Sequence, residues 1–328
     1  MRNLSIDTYR GIGILLVILG HTPGLPSYIY NYIYSFHMPA FFILSGFLFT
    51  LSKENTYGKI KSKFKRLIFP AWGYGLICGI PFLLMLATGK IDTSTFLNKL
   101  LGTLTGYPSV TNTFNSTPLW FLFSLFTVEF LAILLSANKR RYTIAIIASF
   151  GIAGFIISTQ TSNFGLFNVF ISMTSCLFFA FGMLIKIFYN QKEYNKEFYA
   201  TMLFVAVLLF ITLQQNKPLE LAKNYIGETT LTATINVLVA ISGSIILYYI
   251  SYLLSSKALG WLGVNTIIII AFNYHCNSFT SKILQLININ HWVIHFIVTT
   301  ILLLTLIVLK KNLIRLVQNI TTKKYSLE

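Results

Sequence analysis

Two histidines lie in the first forty residues, within segments that are otherwise apolar. His21 ends an aliphatic run, and His37 follows in the next apolar segment, within Phe36-His37-Met38-Pro39. Imidazole titrates near neutral pH, so it can take a proton from a hydroxyl and pass it to a leaving group. These residues predict general acid–base chemistry. His21 is the first candidate base, and His37 either orients it or acts second.

Arg10 lies eleven residues before His21, with Asp7 one helical turn further back. A helix here would place the guanidinium and the imidazole about 16 Å apart along its axis. Guanidinium groups bind phosphates well, which makes Arg10 a candidate for binding an anionic substrate. A basic segment with Lys63, Lys65 and Arg66 could contribute, although membrane topology alone would also account for those three charges.

Glu129 lies deep inside an apolar segment, where an unpaired charge would cost several kcal/mol. We expect it to pair with Arg10 or with another basic group at its depth. A structural ion pair and a part in binding or catalysis both remain open.

Trp120 and His275 are two further candidates within apolar segments. The tryptophan ring could form a stacking wall for a sugar, or it could belong to an interfacial aromatic belt. His275 is expected at a depth similar to that of His21 and His37, so the three could line a polar cavity. His291 and His295 have i, i+4 spacing, but no carboxylate or cysteine accompanies them, so we favour an interfacial role and predict no metal site.

The elements that carry these residues must be membrane helices. The chain has 328 residues, of which 55% are hydrophobic and 10% charged, and its mean hydropathy is +0.69. The apolar runs have the length of membrane-spanning helices. We predict an all-α integral membrane protein, a bundle of about ten transmembrane helices forming one domain over 1–328 with no soluble domain. The candidate spans are 8–24, 30–50, 67–88, 118–136, 142–158, 167–187, 198–214, 231–254, 260–279 and 291–309.

The charge distribution predicts that both termini are cytoplasmic. The net charge is +16, and with this orientation 20 of the 25 lysines and arginines fall inside and 5 outside. This positive-inside pattern argues against nucleic acid as a partner. Segments 89–117 and 215–230 then become long outer loops, which are either lids or solvated connections.

Several motifs resemble those of the membrane-bound acyltransferase 3 family. Asp7-Thr8-Tyr9-Arg10-Gly11 with Leu16 to His21 looks like the first-helix signature, an arginine and a histidine separated by ten residues. Phe36 to Phe47 resembles the second-helix motif of the fucose 4-O-acetylase-like and polysaccharide O-acyltransferase branch. Further resemblances are carried by Lys65-Arg66-Leu67-Ile68-Phe69-Pro70, by Pro118-Leu119-Trp120-Phe121-Leu122, and by Asn265 with Tyr274-His275, although Asn277 stands where relatives often have proline.

The resemblance implies an O-acyltransferase of the bacterial cytoplasmic membrane. It would transfer an acyl group, usually acetyl from acetyl-CoA, to a hydroxyl of a surface polysaccharide or lipid-linked sugar, with no permanently bound cofactor. His21, Arg10, His37 and Asp7 would be catalytic. Arg10, Lys65 and Arg66 would bind coenzyme A, and Trp120, His275 and Glu129 would bind the acceptor.

Three alternatives remain. Polar residues in a helical bundle also fit a transporter of a small molecule or acyl group. A structural partner in a glycan-export complex would leave the arginine–histidine pair without a purpose. The donor could also be succinyl-CoA, but no lysine or arginine falls in the outer half of a predicted span to bind its carboxylate, which favours acetyl.

Overall fold

The computed structural model describes residues 3–52, 55–160, 168–191 and 196–325. Three of the cations predicted to be cytoplasmic, Arg2, Lys53 and Lys192, lie outside these ranges. In the described part the chain folds into twelve α-helices joined by loops and short 3₁₀ turns. The helices are α1 Leu4–Gly20, α2 Ser27–Leu48, α3 Thr56–Ala87, α4 Thr93–Thr105, α5 Trp120–Leu134, α6 Arg140–Gln160, α7 Val169–Gln191, α8 Lys196–Thr212, α9 Thr230–Leu254, α10 Lys257–Val264, α11 Thr266–Leu286 and α12 Trp292–Tyr325.

The all-helical fold is confirmed over the described ranges. Six helices there are long and apolar enough to cross a membrane, and the bent pair α10–α11 would make a seventh. Each of the ten predicted segments overlaps a helix, but α1 and α8 have only 17 residues. The count of ten crossings and the cytoplasmic termini therefore stay predictions.

The predicted span 260–279 is not one straight helix. It divides at Asn265 into α10 and α11, which meet at 80°, and the Asn265 amide donates to the Trp261 carbonyl beside the break. The bend lets α10 pack across the first half of α1. Gly11 there faces the Leu259 carbonyl and Gly263 faces the Asp7 carbonyl, so closely that a Cβ at either glycine would collide with backbone.

Segment 89–117, predicted as a polar loop, contains α4. Asp92 caps this helix by accepting from the Thr95 amide at 3.1 Å, and hydrogen bonds from Ser94 and Thr95 lower the pKa of Asp92 to about 2. The Lys99 ammonium donates to the carbonyls of the returning chain, at 3.3 Å to Val110, 2.7 Å to Thr111 and 3.2 Å to Thr113. These three hydrogen bonds tie the returning chain to α4.

The helices that carry the candidate residues contact one another in a closed order. α1 contacts α2, α2 contacts α7, α7 contacts α5, α5 contacts α3, α3 contacts α11, and α11 returns to α1. Apolar side chains of all six join one buried core, with Ile14, Phe42, Leu67, Phe121, Phe178 and Ile269 among its members. The candidate residues therefore belong to neighbouring helices of one bundle.

Candidate functional site

The end of α1 brings His21 against α2. The His21 backbone closes the helix with hydrogen bonds to Val17 and Ile18, and the Tyr34 hydroxyl lies 3.2 Å from the ring nitrogen Nδ1. The Tyr34 ring also contacts His37, with ring centroids 4.9 Å apart in a T-shaped arrangement. Tyr34 thus stands between the two predicted histidines and joins them.

His37 is held in one tautomer by its own helix. Its Nδ1 lies 2.8 Å from the Ile33 carbonyl, and a carbonyl can only accept, so Nδ1 carries the proton. The lone pair of the neutral ring is then on Nε2. The side chain is 4% exposed. His37 is therefore a buried imidazole with one fixed nitrogen and one nitrogen able to accept a proton.

Tyr274, rather than His275, joins this group from α11. The Tyr274 and His21 rings have centroids 5.1 Å apart. His275 points to a different neighbour, with contacts to Phe272 and to the backbone of Cys78 on α3, and neither of its ring nitrogens forms a hydrogen bond of good geometry. The described contacts therefore do not place His275 with the other two histidines.

Arg10 and Asp7 form an ion pair one turn apart on α1. Arg10 Nη1 lies 3.4 Å from Asp7 Oδ1, and the side chains are 28% and 7% exposed. The buried carboxylate restrains the guanidinium, while α10 packs against the same turn through Gly263. The Arg10 side chain stays partly exposed at this end of the bundle.

Glu129 pairs with Lys63, not with Arg10. The Lys63 ammonium lies 2.6 Å from Glu129 Oε1, and the side chains are 28% and 7% exposed. Glu129 Oε2 is buried without a hydrogen-bond partner. Of the two partners that the sequence allowed, the structure has the basic residue of α3, and this lysine is occupied by the carboxylate rather than open to a phosphate.

Lys65 and Arg66 lie on an exposed part of α3, where they line a shallow groove with Gly58, Lys61 and Ser62. They are not in described contact with Arg10, although α11 touches both α1 and α3.

Trp120 begins α5 and is 4% exposed, packed in the core against Phe121. Burial between helices argues against the interfacial-belt alternative.

Comparison with known families gives the decisive observation. The sequence model of a family described as an acyltransferase domain, acyltransferase 3, matches residues 3–310. The chain belongs to the acyltransferase 3 family. The match extends over every candidate residue, and together with the apolar helices it makes the chain a multi-pass membrane acyltransferase. No curated protein matches the chain, and no solved structure does.

Tyr34 and Tyr274 contact His21, but the sequence interpretation did not predict either as a site residue. Tyr30, Tyr34 and His37 follow i, i+4, i+7 spacing along α2, which places them on one face of that helix. This spacing is a signal that could have been used. Tyr274 directly precedes His275, which was the candidate predicted on this helix. In the described ranges no three His, Cys, Asp or Glu side chains lie close enough together to hold a metal ion.

His295, predicted with His291 to lie at the membrane interface, is buried between two helices. It is 6% exposed, and its two ring nitrogens lie 2.9 Å from the Ser281 hydroxyl and 3.3 Å from the Thr299 hydroxyl. The contact with Ser281 fastens α12 to α11, so His295 supports the helix that carries Tyr274.

Proposed function

We propose that this acyltransferase moves an acyl group, most simply acetyl, from cytoplasmic acyl-CoA to a hydroxyl of a surface polysaccharide or a lipid-linked sugar in the bacterial cytoplasmic membrane. The observation that carries the proposal is the placement of Arg10 and His21 on one helix of a chain whose family transfers acyl groups. The helix separates a donor-binding cation from a base by about 16 Å, a distance that a pantetheine arm can bridge.

The reaction needs a base, a positioned thioester and a route for one proton. In our proposal His21 takes the proton of the acceptor hydroxyl, the oxygen attacks the thioester carbonyl, and the carbon–sulfur bond breaks. The imidazolium then gives the proton to the thiolate, so the imidazole is regenerated and no net proton is released. His37, joined to His21 through Tyr34, is the second imidazole of the site.

The donor would enter beside the basic end of α1. Arg10 is partly exposed and restrained by Asp7, which suits it to bind a phosphate of coenzyme A in a defined orientation. Lys65 and Arg66 are exposed on α3 and would attract the nucleotide end. Trp120 remains our candidate for contact with the sugar, whereas His275 and Glu129 would act near it only if the acceptor reaches α3.

Replacement of His21 tests the function. We expect His21→Ala, inserted normally in the membrane, to lose acylation by at least about 100-fold, the usual contribution of a general base. The measurement is mass spectrometry of surface polysaccharide and lipid-linked sugars, in which one acetyl per repeat disappears. His291→Ala, an exposed histidine stacked on Trp292, is the matched control. Normal acylation by His21→Ala would refute the assignment, and vesicle uptake without use of acetyl-CoA would favour the transporter.

The donor site has its own test. We expect Arg10→Ala to raise the dissociation constant for acetyl-CoA by roughly 10-fold or more, because charge-assisted hydrogen bonds to phosphate are among the stronger ones. The exposed arginine Arg141, on α6 at the predicted cytoplasmic side, provides the control Arg141→Ala. Equal donor affinity in Arg10→Ala and the unaltered protein would remove Arg10 from the donor site.

A further inference from the structure

A line of hydrogen-bonded polar side chains follows the contact between α11 and α12. His295 Nε2 lies 2.9 Å from the Ser281 hydroxyl, and His295 Nδ1 lies 3.3 Å from the Thr299 hydroxyl. The Thr299 hydroxyl donates to Asn277 Oδ1 at 3.3 Å, and Asn277 Nδ2 donates to Asn273 Oδ1 at 3.0 Å. We call the line that leads from His295 through Thr299 and Asn277 to Asn273 the polar chain.

One polar atom at the end of the polar chain has no partner. All four members are at most 6% exposed, and Asn273 and Thr299 are fully buried. Nevertheless Asn273 Nδ2 forms no hydrogen bond with any residue in the described part of the chain. A buried donor left unpaired is costly, and an oxygen acceptor bound beside it would remove that cost. The Asn273 amide therefore has the chemistry of a ligand-binding donor.

The hydrogen bonds of the polar chain all point toward Asn273. An amide oxygen only accepts, so the single proton of Thr299 goes to Asn277 Oδ1, and the Thr299 oxygen then accepts from His295 Nδ1–H. The Thr280 hydroxyl, 3.1 Å from Thr299 Oγ1, can donate as well as accept, so it does not compete for that proton. Hydrogen bonds aligned in this way polarise one another, which strengthens the Asn273 amide as a donor.

Asn273 lies at the depth of His21, the base in our proposed reaction. The next residue of α11 is Tyr274, whose ring centroid is 5.1 Å from that of His21. Consecutive residues of a helix differ by only about 1.5 Å in height. A Cβ on Gly24, just beyond α1, would lie 3.9 Å from the Trp292 side chain at the start of α12. Both helices that form the polar chain therefore approach the end of α1.

We propose that the Asn273 amide donates to the carbonyl oxygen of the acyl thioester and stabilises the negative charge that forms on it. This role rests on the proposed function, in which His21 activates the attacking hydroxyl. When that hydroxyl oxygen attacks, the π electrons of the carbonyl move onto its oxygen, and they return when the carbon–sulfur bond breaks. A fixed N–H donor acts most strongly on this charge, because the charge is largest in the transition state. The other three members of the polar chain act through Asn273 and are positioning residues.

Kinetics of single variants test the effect on the reaction, measured as free thiol released from acetyl-CoA in membranes of the producing cells. We expect Asn273→Leu to lower kcat by roughly 100–1,000-fold, the usual loss for one such donor. The KM for acetyl-CoA should change by no more than about threefold, because the interaction acts mainly in the transition state. Asn273→Gln keeps an amide donor and should retain part of the rate. Thr299→Val should lower kcat by a smaller factor than Asn273→Leu, because the donor remains but is no longer oriented.

Asn236 of α9 provides the matched control. It is also a buried asparagine of an apolar helix, 1% exposed, but its Nδ2 donates to the Ile226 carbonyl at 2.9 Å. Asn236→Leu should therefore lower the thermal unfolding temperature and keep kcat of the folded protein within about twofold. Equal losses of kcat in Asn236→Leu and Asn273→Leu, or an unchanged kcat in both Asn273→Leu and Thr299→Val, would overturn the proposal.

The hydrogen bond to the thioester can be observed without turnover. The probe is acetyl-CoA labelled with ¹³C at the thioester carbonyl, bound in the absence of acceptor and followed by infrared difference spectroscopy. We expect the carbonyl stretching band to move to lower frequency in the unaltered protein and not in Asn273→Leu, because a donor polarises the carbonyl. An equal shift in both proteins, or no shift in unaltered protein that binds the probe, would overturn the proposal alone. Failure of the unaltered protein to bind acetyl-CoA would overturn the proposed donor, and the role of Asn273 with it.

The direction of the polar chain has a test that needs no substrate. If both amides were turned, Thr299 would donate to His295, Nδ1 would carry no proton, and Asn273 would end the polar chain with an acceptor. In protein labelled with ¹⁵N-histidine, the two ring nitrogens give separate NMR signals, and those of His295 are the ones lost in His295→Gln. We expect a protonated Nδ1. An unprotonated Nδ1 would overturn the proposal, whatever group the protein transfers.

Discussion

Lys63 and Glu129 join α3 to α5 through a carboxylate that is 7% exposed. Removal of one partner from such a pair leaves an uncompensated charge, which costs about 3–5 kcal/mol when both groups are fully buried. The cost should be lower here, because the Lys63 side chain is 28% exposed. The two single substitutions should therefore be unequal, with loss of the lysine the more harmful.

We expect Lys63→Met to lower the thermal unfolding temperature clearly in detergent, because Glu129 would stay buried and charged. Glu129→Gln should cost less, since Lys63 can turn to water, and the double variant should recover most of the loss. A double-mutant cycle with no coupling would show that the pair contributes nothing to stability. The cycle also separates the two roles left open for Glu129. A stable Glu129→Gln protein that has lost acyl transfer would indicate substrate contact.

At the residue scale, the sequence predicted several of the site residues correctly by type, but not the side chains that they contact. His21 and His37 were expected at similar depth, where they could line one cavity, and in the structure both contact Tyr34. A tyrosine in an apolar helix looks like packing until its neighbours are known. Several basic groups could lie at the depth predicted for Glu129. Its partner in the structure is Lys63, which is 66 positions away in sequence. Such pairings depend on tertiary contacts that hydropathy and spacing do not contain.

At the scale of elements, α2 and α7 approach so closely that their backbones touch at glycines. A Cβ at Gly46 would meet the Phe179 carbonyl, and one at Gly182 would meet the Ile43 carbonyl. Small residues permit such close packing between membrane helices. We expect Gly46→Ala and Gly182→Ala each to cost about 1–3 kcal/mol, the range for overpacking, measured as a lower unfolding temperature.

Gly73 on α3 is the matched control, because no atom lies within 4 Å of the position where its Cβ would be. Gly73→Ala should leave stability unchanged or raise it slightly, since alanine favours the helix by up to about 1 kcal/mol. Similar losses at Gly46 and Gly73 would contradict the role given to the α2–α7 contact.

The elements themselves were largely predictable, since long apolar runs form helices wherever they occur. Two departures have physical reasons. The break between α10 and α11 falls at Asn265, with no proline at the junction, and it is stabilised by the close packing of α10 on α1, which a hydropathy profile cannot register. α4 was missed because its composition is polar, yet Asp92 caps it and Lys99 ties it to the returning chain.

At the scale of the whole molecule, whether α8 crosses the membrane decides on which side the loops of the second half of the chain lie. α8 has 17 residues and α1 the same number, short for a 30 Å hydrocarbon layer. If α8 crosses, the loop that carries Glu220 lies outside and Lys257 lies inside. If it does not, those two positions exchange sides, and the loop would lie across the membrane from Asn31 at the start of α2, to which it is hydrogen-bonded.

Cysteine labelling can separate the two arrangements, because the native thiols Cys78, Cys176 and Cys276 are all buried and should give no background. We expect a membrane-impermeant maleimide to label Lys217→Cys in intact cells and to label Lys257→Cys only after permeabilisation. Lys90→Cys, exposed beyond α3, is the outer reference, and Lys139→Cys, exposed between α5 and α6, is the inner one. Labelling of Lys257→Cys in intact cells would mean that α8 does not cross and that fewer than ten spans exist. Because Asn216 of the loop between α8 and α9 is hydrogen-bonded to Asn31 at the start of α2, that result would also contradict the packing of the loop against α2.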